Sequence, residues 1–565
     1  MQTQRLAVVA VVAVAMLTAC PKRTTRGLAE YQLDADQGYL GGKVIAVEQA
    51  HVLNRRDFVY SIAFDATTRR VAFPHMVMTD FEVSLADVET GKVLWHAPLN
   101  PTEFDVEGVS FVGGKSVAVA VGVRRSATST HPALRLFDAA TGDERAFAFS
   151  DDEKGYTQIA ASRDGRLIAA VTSKDGNLVI ADGGSLAWLG EARAHRGPAT
   201  AVAFAADGTI YTGGQDCSIA VWRLQPTPPS ASGEVRLPLV LVGAAKEPAI
   251  QVYTDRRLPA LLSITNAIEE TAVTRAWAQR AGIAVGAPTR KVRTHAGEVT
   301  VAEVTLPPLA LKDVALAGVP AVVCDECVPV GCDGIVGADQ AQRLHLTRGP
   351  LPYLVTLAID SASSAPVEPA PKTQPPPATD KPAGAAGDTM PAVAFELLRP
   401  ELVSRIELPG SVNDIRLSRD GRQLCVATSS EPAERTLPLY EAEKAGKYPA
   451  PSPKNAALLV DVASGQVVKS FVAHRGYVVT ADLSPDGRTL VSGGWDNRVL
   501  LFDVESGALA VEQRMAWLVR RVRFGADGRS LGVAAWTPPS RSGGDSDPAA
   551  VVFDLVYQQP TKFSN

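Results

Sequence analysis

The chain has 565 residues, 46% hydrophobic and 21% charged, with a net charge of −5. That is enough apolar material for several domains or one large repeat array. A weakly acidic balance, with no long basic run and no zinc-finger spacing, gives no reason to expect nucleic acid as a partner.

The N-terminus reads as a targeting segment. Met1 to Arg5 carries one positive charge, and Leu6 to Leu17 is continuously apolar or small. The run is short for a bilayer span and has the length of a signal h-region. Leu17-Thr18-Ala19-Cys20 follows and resembles a bacterial lipobox, in which cleavage leaves a lipidated Cys as the first residue. The resemblance implies a signal peptide over 1–19 and a lipid anchor on Cys20. Acyl chains there would hold the protein on a membrane without a spanning helix. Pro21 stands where an Asp would retain such a lipoprotein at the inner membrane. The expected location is therefore the bacterial cell envelope, on the outer membrane facing the periplasm. Residues 20–42 read as a tether.

A refrain then runs along the chain. Ser162-Arg163-Asp164-Gly165-Arg166 returns as Ala206-Asp207-Gly208, Ser418-Arg419-Asp420-Gly421-Arg422, Ser484-Pro485-Asp486-Gly487-Arg488 and Ala526-Asp527-Gly528-Arg529. Asp164 and Asp207 are 43 residues apart, Asp486 and Asp527 are 41 apart, and Asp207 and Asp420 are 213 apart. A period of about 40 residues is that of a propeller blade, and the long gap marks an insertion. Units of alternating strands fall at about 58–97, 104–147, 155–191 and 198–224 before the gap, and at 411–470, 476–513 and 518–557 after it. The expectation is a seven-bladed all-β propeller over 43–225 and 396–557, with a lone strand at Lys43 to Ala50 available to close the ring. Leu402 to Leu408 reads as the strand on which the array resumes. The break lies between a third and a fourth strand. The inserted domain is thus expected on one face, and the long loops Val123 to Pro132, Ser429 to Asn455 and Thr537 to Pro548 on the other.

These units resemble WD repeats. The unit around His195 has Thr212 in its second strand, Asp216 in the turn and Trp222 at the close of the third strand. His474, Ser492 and Asp496 repeat the set, with Phe502 for the Trp. The resemblance implies that these side chains hydrogen-bond inside a blade, and that the two histidines are structural.

Residues 235–360 hold the remaining candidate chemistry. A strand over Ala249 to Tyr253, a turn at Thr254 to Arg257 and a strand over Leu258 to Ser263 lead into Ile264-Thr265-Asn266-Ala267. A helical stretch, Ala272 to Ala281, follows. Then come Thr294-His295-Ala296-Gly297, alternating strands to Val323, and Gly334-Ile335-Val336-Gly337. This order resembles the retropepsin-like aspartic proteases, with their hairpin, Asp-Thr-Gly-Ala motif, short helix, flap and hydrophobic-hydrophobic-Gly motif. The position of the family's catalytic Asp is Ile264. Thr265 and Ala267 match, and Asn266 replaces the Gly. The reaction needs two carboxylates sharing a proton, and Ile264 carries none. Asp255 lies nine residues earlier, at the wrong end of a strand. The resemblance implies a β-barrel that keeps a peptide cleft without the catalytic pair. Residues 361–395, rich in Pro and Ala, form a linker back to the array.

Six cysteines are present. Cys324, Cys327 and Cys332 cluster near the degenerate motif, and an exported chain favours a disulfide within this trio. Three ligands fall short of the four of a structural zinc site, although His295 or Asp325 could complete a set. No metal and no cofactor are expected. Cys217 and Cys425 are expected to be buried. The leading functional reading is a lipid-anchored scaffold that binds an envelope protein or extended peptide. The rival is an enzyme: an aspartic-type protease, or a propeller with a hydrolase or lyase site in its channel. Binding of a small ligand in the channel is a third.

Overall fold

Each Asp-Gly repeat is a tight turn between antiparallel strands. Asp164 Oδ1 accepts from Arg166 N at 3.1 Å and from Ser162 Oγ at 2.7 Å, and Gly165 takes φ +70°. Ser418 with Asp420 and Ser484 with Asp486 repeat the bonds. A second Asp closes the turn after the third strand: Asp461 Oδ1 accepts from Ser464 N, and Asp503 Oδ1 from Ser506 N, each at 2.8 Å. Asp supplies the acceptor and Gly the positive φ that such turns need.

The computed structural model describes residues 44–557 except 55–58, 78–79, 100–102, 125–129, 150–154, 231, 243–246, 256, 265–267, 295–296, 313, 317, 349–353, 360–396, 431–450, 516–517 and 537–548. Cys20 and the three long loops expected between second and third strands fall wholly or largely outside them.

Seven four-stranded antiparallel sheets form the array. Blade 1 is Ala63–Phe64, Arg70–Val77, Asp80–Asp87 and Val93–Pro98. Blade 2 is Glu103–Val112, Ser116–Arg124, Thr130–Asp138 and Glu144–Phe149. Blade 3 is Tyr156–Ala161, Leu167–Thr172, Asn177–Asp182 and Trp188–Arg193. Blade 4 takes Ala199–Phe204, Ile210–Gly214 and Ser218–Thr227 before the insert and Leu397–Glu407 after it. Blade 5 is Ser411–Leu417, Gln423–Ser429, Ala457–Asp461 and Val467–Phe471. Blade 6 is Val478–Leu483, Thr489–Gly494, Arg498–Asp503 and Leu509–Arg514. Blade 7 is Leu518–Phe524, Ser530–Trp536, Ala550–Tyr557 and, from the other end of the chain, Val44–Asn54. The seven-bladed all-β expectation holds.

Apolar side chains pack between neighbouring blades. Val119 and Phe137 of blade 2 meet Val83 and Leu85 of blade 1. Leu458 and Val460 of blade 5 meet Ala201 and Ile219 of blade 4. Val59, Ile62 and Phe73 of blade 1 meet Ala534 and Val552 of blade 7, which completes the ring. His75 in blade 1 is buried with Nε2 at 2.9 Å from Ser84 Oγ. Burial pulls its pKa from 6.5 down to about 4, with the nearby His96 acting in the same direction. The unfolded chain therefore takes up this proton first. Folded-state stability is expected to be full above pH 6.5 and to decline as pH falls from there towards about 4. Denaturant unfolding at pH 7 and pH 5 checks this. His75→Phe removes that part of the slope, and an unchanged slope would refute it.

Blade 4 holds the insertion point. Leu397–Glu407 starts earlier than the apolar pattern suggests, and pairs from Ser218 with Glu407 to Thr227 with Leu397, with one register shift between Val221 and Trp222. The insert leaves from one end of this ladder and returns at the same end. Its own first and last long strands, Gly233–Val242 and Leu354–Ile359, pair with each other from Gly233 with Ile359 onwards. Adjacent termini let a domain be inserted without distorting its host. The helix is shorter than the sequence pattern suggests, spanning Arg275–Arg280. Ala272–Val273 is taken into the sheet, and Thr274 Oγ1 caps the helix by accepting from Trp277 N at 3.2 Å.

Candidate functional site

Two blades carry the histidine networks. Asp216, a carboxylate, can only accept, so His195 Nδ1–H donates to its Oδ1 at 2.9 Å. His195 Nε2 then accepts from Thr212 Oγ at 3.0 Å, and Thr212 Oγ accepts from Trp222 Nε1 at 3.0 Å. Burial lowers the His195 pKa, and Asp216 only partly opposes this. In blade 6, His474 Nδ1 donates to Asp496 at 2.9 Å, and Nε2 lies 2.8 Å from Ser492 Oγ. Phe502 replaces the indole and packs on Phe471 with ring centroids 5.2 Å apart. Both imidazoles are sealed from solvent, so neither can reach a substrate.

The insert is built around a crossing of two chain segments. Pro259–Ser263 runs parallel to Gly334–Ile335, through Leu262 with Gly334 and Ser263 with Ile335. Ala272–Val273 pairs antiparallel on the other side of Gly334–Ile335, and parallel with Pro320–Val323. A Cβ on Gly337 would lie 2.2 Å from the Glu270 carbonyl carbon, and one on Gly334 would lie 2.6 Å from Ala272 O. The crossing therefore requires glycine at both positions. Gly337 N donates to Thr271 Oγ1 at 3.0 Å, and Val336 N donates to Ser263 O at 2.8 Å.

Ile264 sits at this crossing, 3% exposed, in one apolar cluster with Leu262, Val273, Trp277 and Val336. Its N–H donates to Pro248 O at 3.1 Å. Thr265, Asn266 and Ala267 lie outside the described residues, as does His295. Nearby acids already hold partners. Glu247 accepts from Ser263 Oγ, and Asp333 accepts from Leu261 N at 3.1 Å and from Arg280 Nη2 at 2.6 Å. Asp255 is at the far end of its strand, lining an open cavity of about 360 Å³ with Gly282, Val304 and Leu306.

Cys324 and Cys327 form a disulfide across a 3-10 turn, and Cys332 is a buried free thiol beside it. Burial pushes the Cys332 thiol up to about 11, and the Glu247 and Asp333 charges add to this, so it is protonated at neutral pH. Asp325 Oδ1 accepts from Arg275 N at 2.7 Å. No cluster of metal-ligating side chains occurs among the described residues. A disulfide between positions three apart closes a very short loop, worth about 2 kcal/mol in chain entropy. Cys324→Ser with Cys327→Ser is expected to lower stability by that amount. Comparing unfolding midpoints with and without reductant checks it. Cys425 is fully buried, but Cys217 is only half-buried, because it occupies a left-handed turn position at φ +60°.

The family described as WD domain, G-beta repeat, matches residues 189–223 and 465–503. These stretches contain both histidine networks. The array is a WD-repeat propeller. Residues 267–340 match the family described as Aspartyl protease, and this stretch begins three residues after Ile264. The chain is also 32% identical over 71 residues to eukaryotic translation initiation factor 3 subunit I of Phaeosphaeria nodorum, covering 13% of this chain and 21% of that protein. The shared region thus spans about a fifth of that relative.

The insert is docked on the WD propeller at blades 2 and 3. Gln251 Nε2 donates to Phe147 O at 2.7 Å, and Tyr253 OH donates to Leu186 O at 3.4 Å. Arg257 forms an ion pair with Asp182, and the Lys312 ammonium lies 6.0 Å from the centre of the Trp188 ring. Tyr253 packs against Ala187, and burial, with the Asp182 charge nearby, raises its pKa well above the usual phenol range. These contacts fall on the outer strand of blade 2, and on the turn after the third strand of blade 3 and the start of its fourth. The second-to-third connections leave from the opposite ends of the blades.

One constellation is not evident from the sequence pattern. Asp414, on the first strand of blade 5, is completely buried. Its Oδ1 accepts from Gln158 Nε2 of blade 3 at 2.9 Å and from Arg523 Nη2 of blade 7 at 3.1 Å. Its Oδ2 accepts from Thr480 Oγ1 of blade 6 at 2.8 Å and from Arg523 Nη1 at 2.8 Å. Gln158 Oε1 in turn accepts from Val202 N of blade 4 at 2.7 Å. A belt of side chains thus links five of the seven innermost strands. Burial pushes the Asp414 pKa up, but Arg523, Arg521 and Arg416 together outweigh it and hold the carboxyl below its ordinary range. The only trace in the sequence is the polar alternation Asp414-Ile415-Arg416, Thr480-Ala481-Asp482 and Arg521-Val522-Arg523.

Proposed function

We propose that this chain is a cell-envelope scaffold that binds a protein or an extended peptide, with an insert that is aspartic-protease-like but not catalytic. The observation that carries this is Ile264, an apolar, buried side chain at the crossing where the protease family places its acid. Glu247 and Asp333 are committed to other bonds, so neither is free to form a shared-proton pair at Ile264. A rigid propeller with a docked β-domain suits partner binding through loop faces and sheet edges. The exposed edge strand Arg290–Thr294 is one place where an extended peptide could pair. The relative that is 32% identical over 71 residues is, by its name, a subunit of a translation initiation factor.

The proposal places the scaffold on a membrane through lipid on Cys20, after Leu17-Thr18-Ala19, with Pro21 directing it to the outer membrane. No helix among the described residues is long and apolar enough to cross a bilayer. Labelling cells with a palmitate analogue is expected to mark the wild type and not Cys20→Ser. Equal labelling of both would remove the anchor from the proposal. Cross-linking in intact cells should capture a specific envelope partner. The mature protein incubated with casein and mixed peptides should show no pepstatin-sensitive cleavage, and such cleavage would overturn the non-catalytic reading.

A further inference from the structure

The innermost strands of blades 3 to 7 share one irregularity. Each has a register shift near its start, at Tyr156/Gln158, Ala199/Ala201, Val412/Asp414, Val478/Thr480 and Val519/Arg521. The first residue after the shift is therefore equivalent in each blade: Gln158, Ala201, Asp414, Thr480 and Arg521. Two residues on, the equivalent positions are Ala160, Ala203, Arg416, Asp482 and Arg523. Blades 5, 6 and 7 thus place three arginines and two aspartates at these two tiers of the innermost strands. Blades 3 and 4 place only methyl groups at the second.

The acceptors of this cluster are already used. Both Asp414 oxygens are taken by Gln158, Thr480 and Arg523, and Arg521 Nη1 lies 3.3 Å from Oδ1. Asp482 Oδ1 accepts from Leu483 N and Oδ2 from Phe524 N, each at 2.9 Å. Arg416 is left beside Arg523 and Arg521 with no partner for its Nε among the described residues. Arg523, itself only 5% exposed, also has a buried Nε without an acceptor. Burial and the neighbouring arginines pull the Arg416 pKa down to about 10, and the Asp414 and Asp482 charges only partly oppose this. Three arginines against two aspartates leave the cluster with one net positive charge, and Arg416 is only partly buried, so a solute can reach it. A planar guanidinium with free donors is the group best shaped to take an oxyanion in a two-pronged grip.

We propose that the central channel of the propeller binds a small oxyanion, a carboxylate or phosphate group, on the Arg416 guanidinium, with Arg521 and Arg523 supplying further positive charge. The site is separate from the insert and does not depend on the scaffold reading.

The test uses the full mature protein. Thermal unfolding and isothermal titration are run with inorganic phosphate and with citrate, each against chloride at equal ionic strength. At least one of the two is expected to raise the unfolding temperature saturably, and the ion that saturates at the lower concentration identifies the class. Arg416→Gln is expected to abolish the shift. The substitution breaks no hydrogen bond of the Nε and relieves like charge, so the fold should survive it. Arg416→Lys keeps the charge but loses the fork, and should weaken binding roughly tenfold. No saturable shift with either ion, or an equal shift in Arg416→Gln, would overturn the proposal.

Discussion

Deleting Val44–Asn54 is expected to remove cooperative folding of the propeller. This strand pairs antiparallel with Ala550–Tyr557, from Val44 with Tyr557 to Asn54 with Ala550, and buries Val44 in the core between blades 6 and 7. Without it, blade 7 has three strands, and Ala550–Tyr557 becomes a free edge able to pair with another chain. The ring would then be closed by the side-chain contacts between blades 7 and 1 and the bond from Val59 N to Ala535 O at 3.5 Å. The lost backbone ladder and core contacts together are on the order of the whole stability of an ordinary domain, about 5–15 kcal/mol. Size-exclusion chromatography with light scattering, followed by denaturant unfolding, should show aggregation and no sharp transition. A monomer with an unchanged midpoint would refute it. Supplying the strand as a separate peptide should restore part of the transition, since the pairing surface remains.

The second large effect is expected at Asp414. Asp414→Ala leaves Arg523 and Arg521 buried without their acceptor, a change that costs about 3–5 kcal/mol. Gln158 and Thr480 would lose their shared partner as well, so blades 3, 5, 6 and 7 are affected together. Because the folded carboxyl is held below its ordinary range, its contribution is complete above the unfolded pKa of about 3.9 and is lost as pH falls through the lower folded value. Wild-type protein should therefore lose stability steeply below about pH 4, and Asp414→Asn should show a flatter acid limb. Urea midpoints at pH 7 and pH 3 measure both. An alanine variant within 1 kcal/mol of wild type would show that the belt carries little of the ring's stability.

The repeating units were legible because their signals are local. Asp164 with Gly165 and Asp503 with Gly507 make bonds across two to four residues, and chain order alone places such turns. His195, Thr212, Asp216 and Trp222 span fewer than thirty residues and fall within one blade, so a familiar spacing was enough to associate them. The insert was legible through the order of its pieces, and Gly334 and Gly337 prove to be the two positions where the crossing excludes a side chain. Helix length was not legible. Ala272 is a strong helix former, but β-branched Val273 suits a strand, and pairing with Gly334–Ile335 and Pro320–Val323 takes both into the sheet.

Polar alternation on single strands was the one trace of the Asp414 belt, and it did not show which residues meet. Gln158 and Asp414 are 256 residues apart in the chain, with the insert between them, and Asp414 and Arg523 are 109 apart. On its own strand each of these residues looks like an ordinary polar position. The same holds for Tyr253 against Leu186 and Arg257 against Asp182, which join domains whose contact no local pattern announces. Turn chemistry and strand alternation act over a few residues, so residue type and spacing were sufficient to decide the blades, the site of the interruption and the apolar residue at position 264. Which polar side chains share a buried charge, and which blades the insert rests on, depend on how the ring closes. Desolvation makes those pairings costly to leave unmade, but only the closed ring brings the partners within reach.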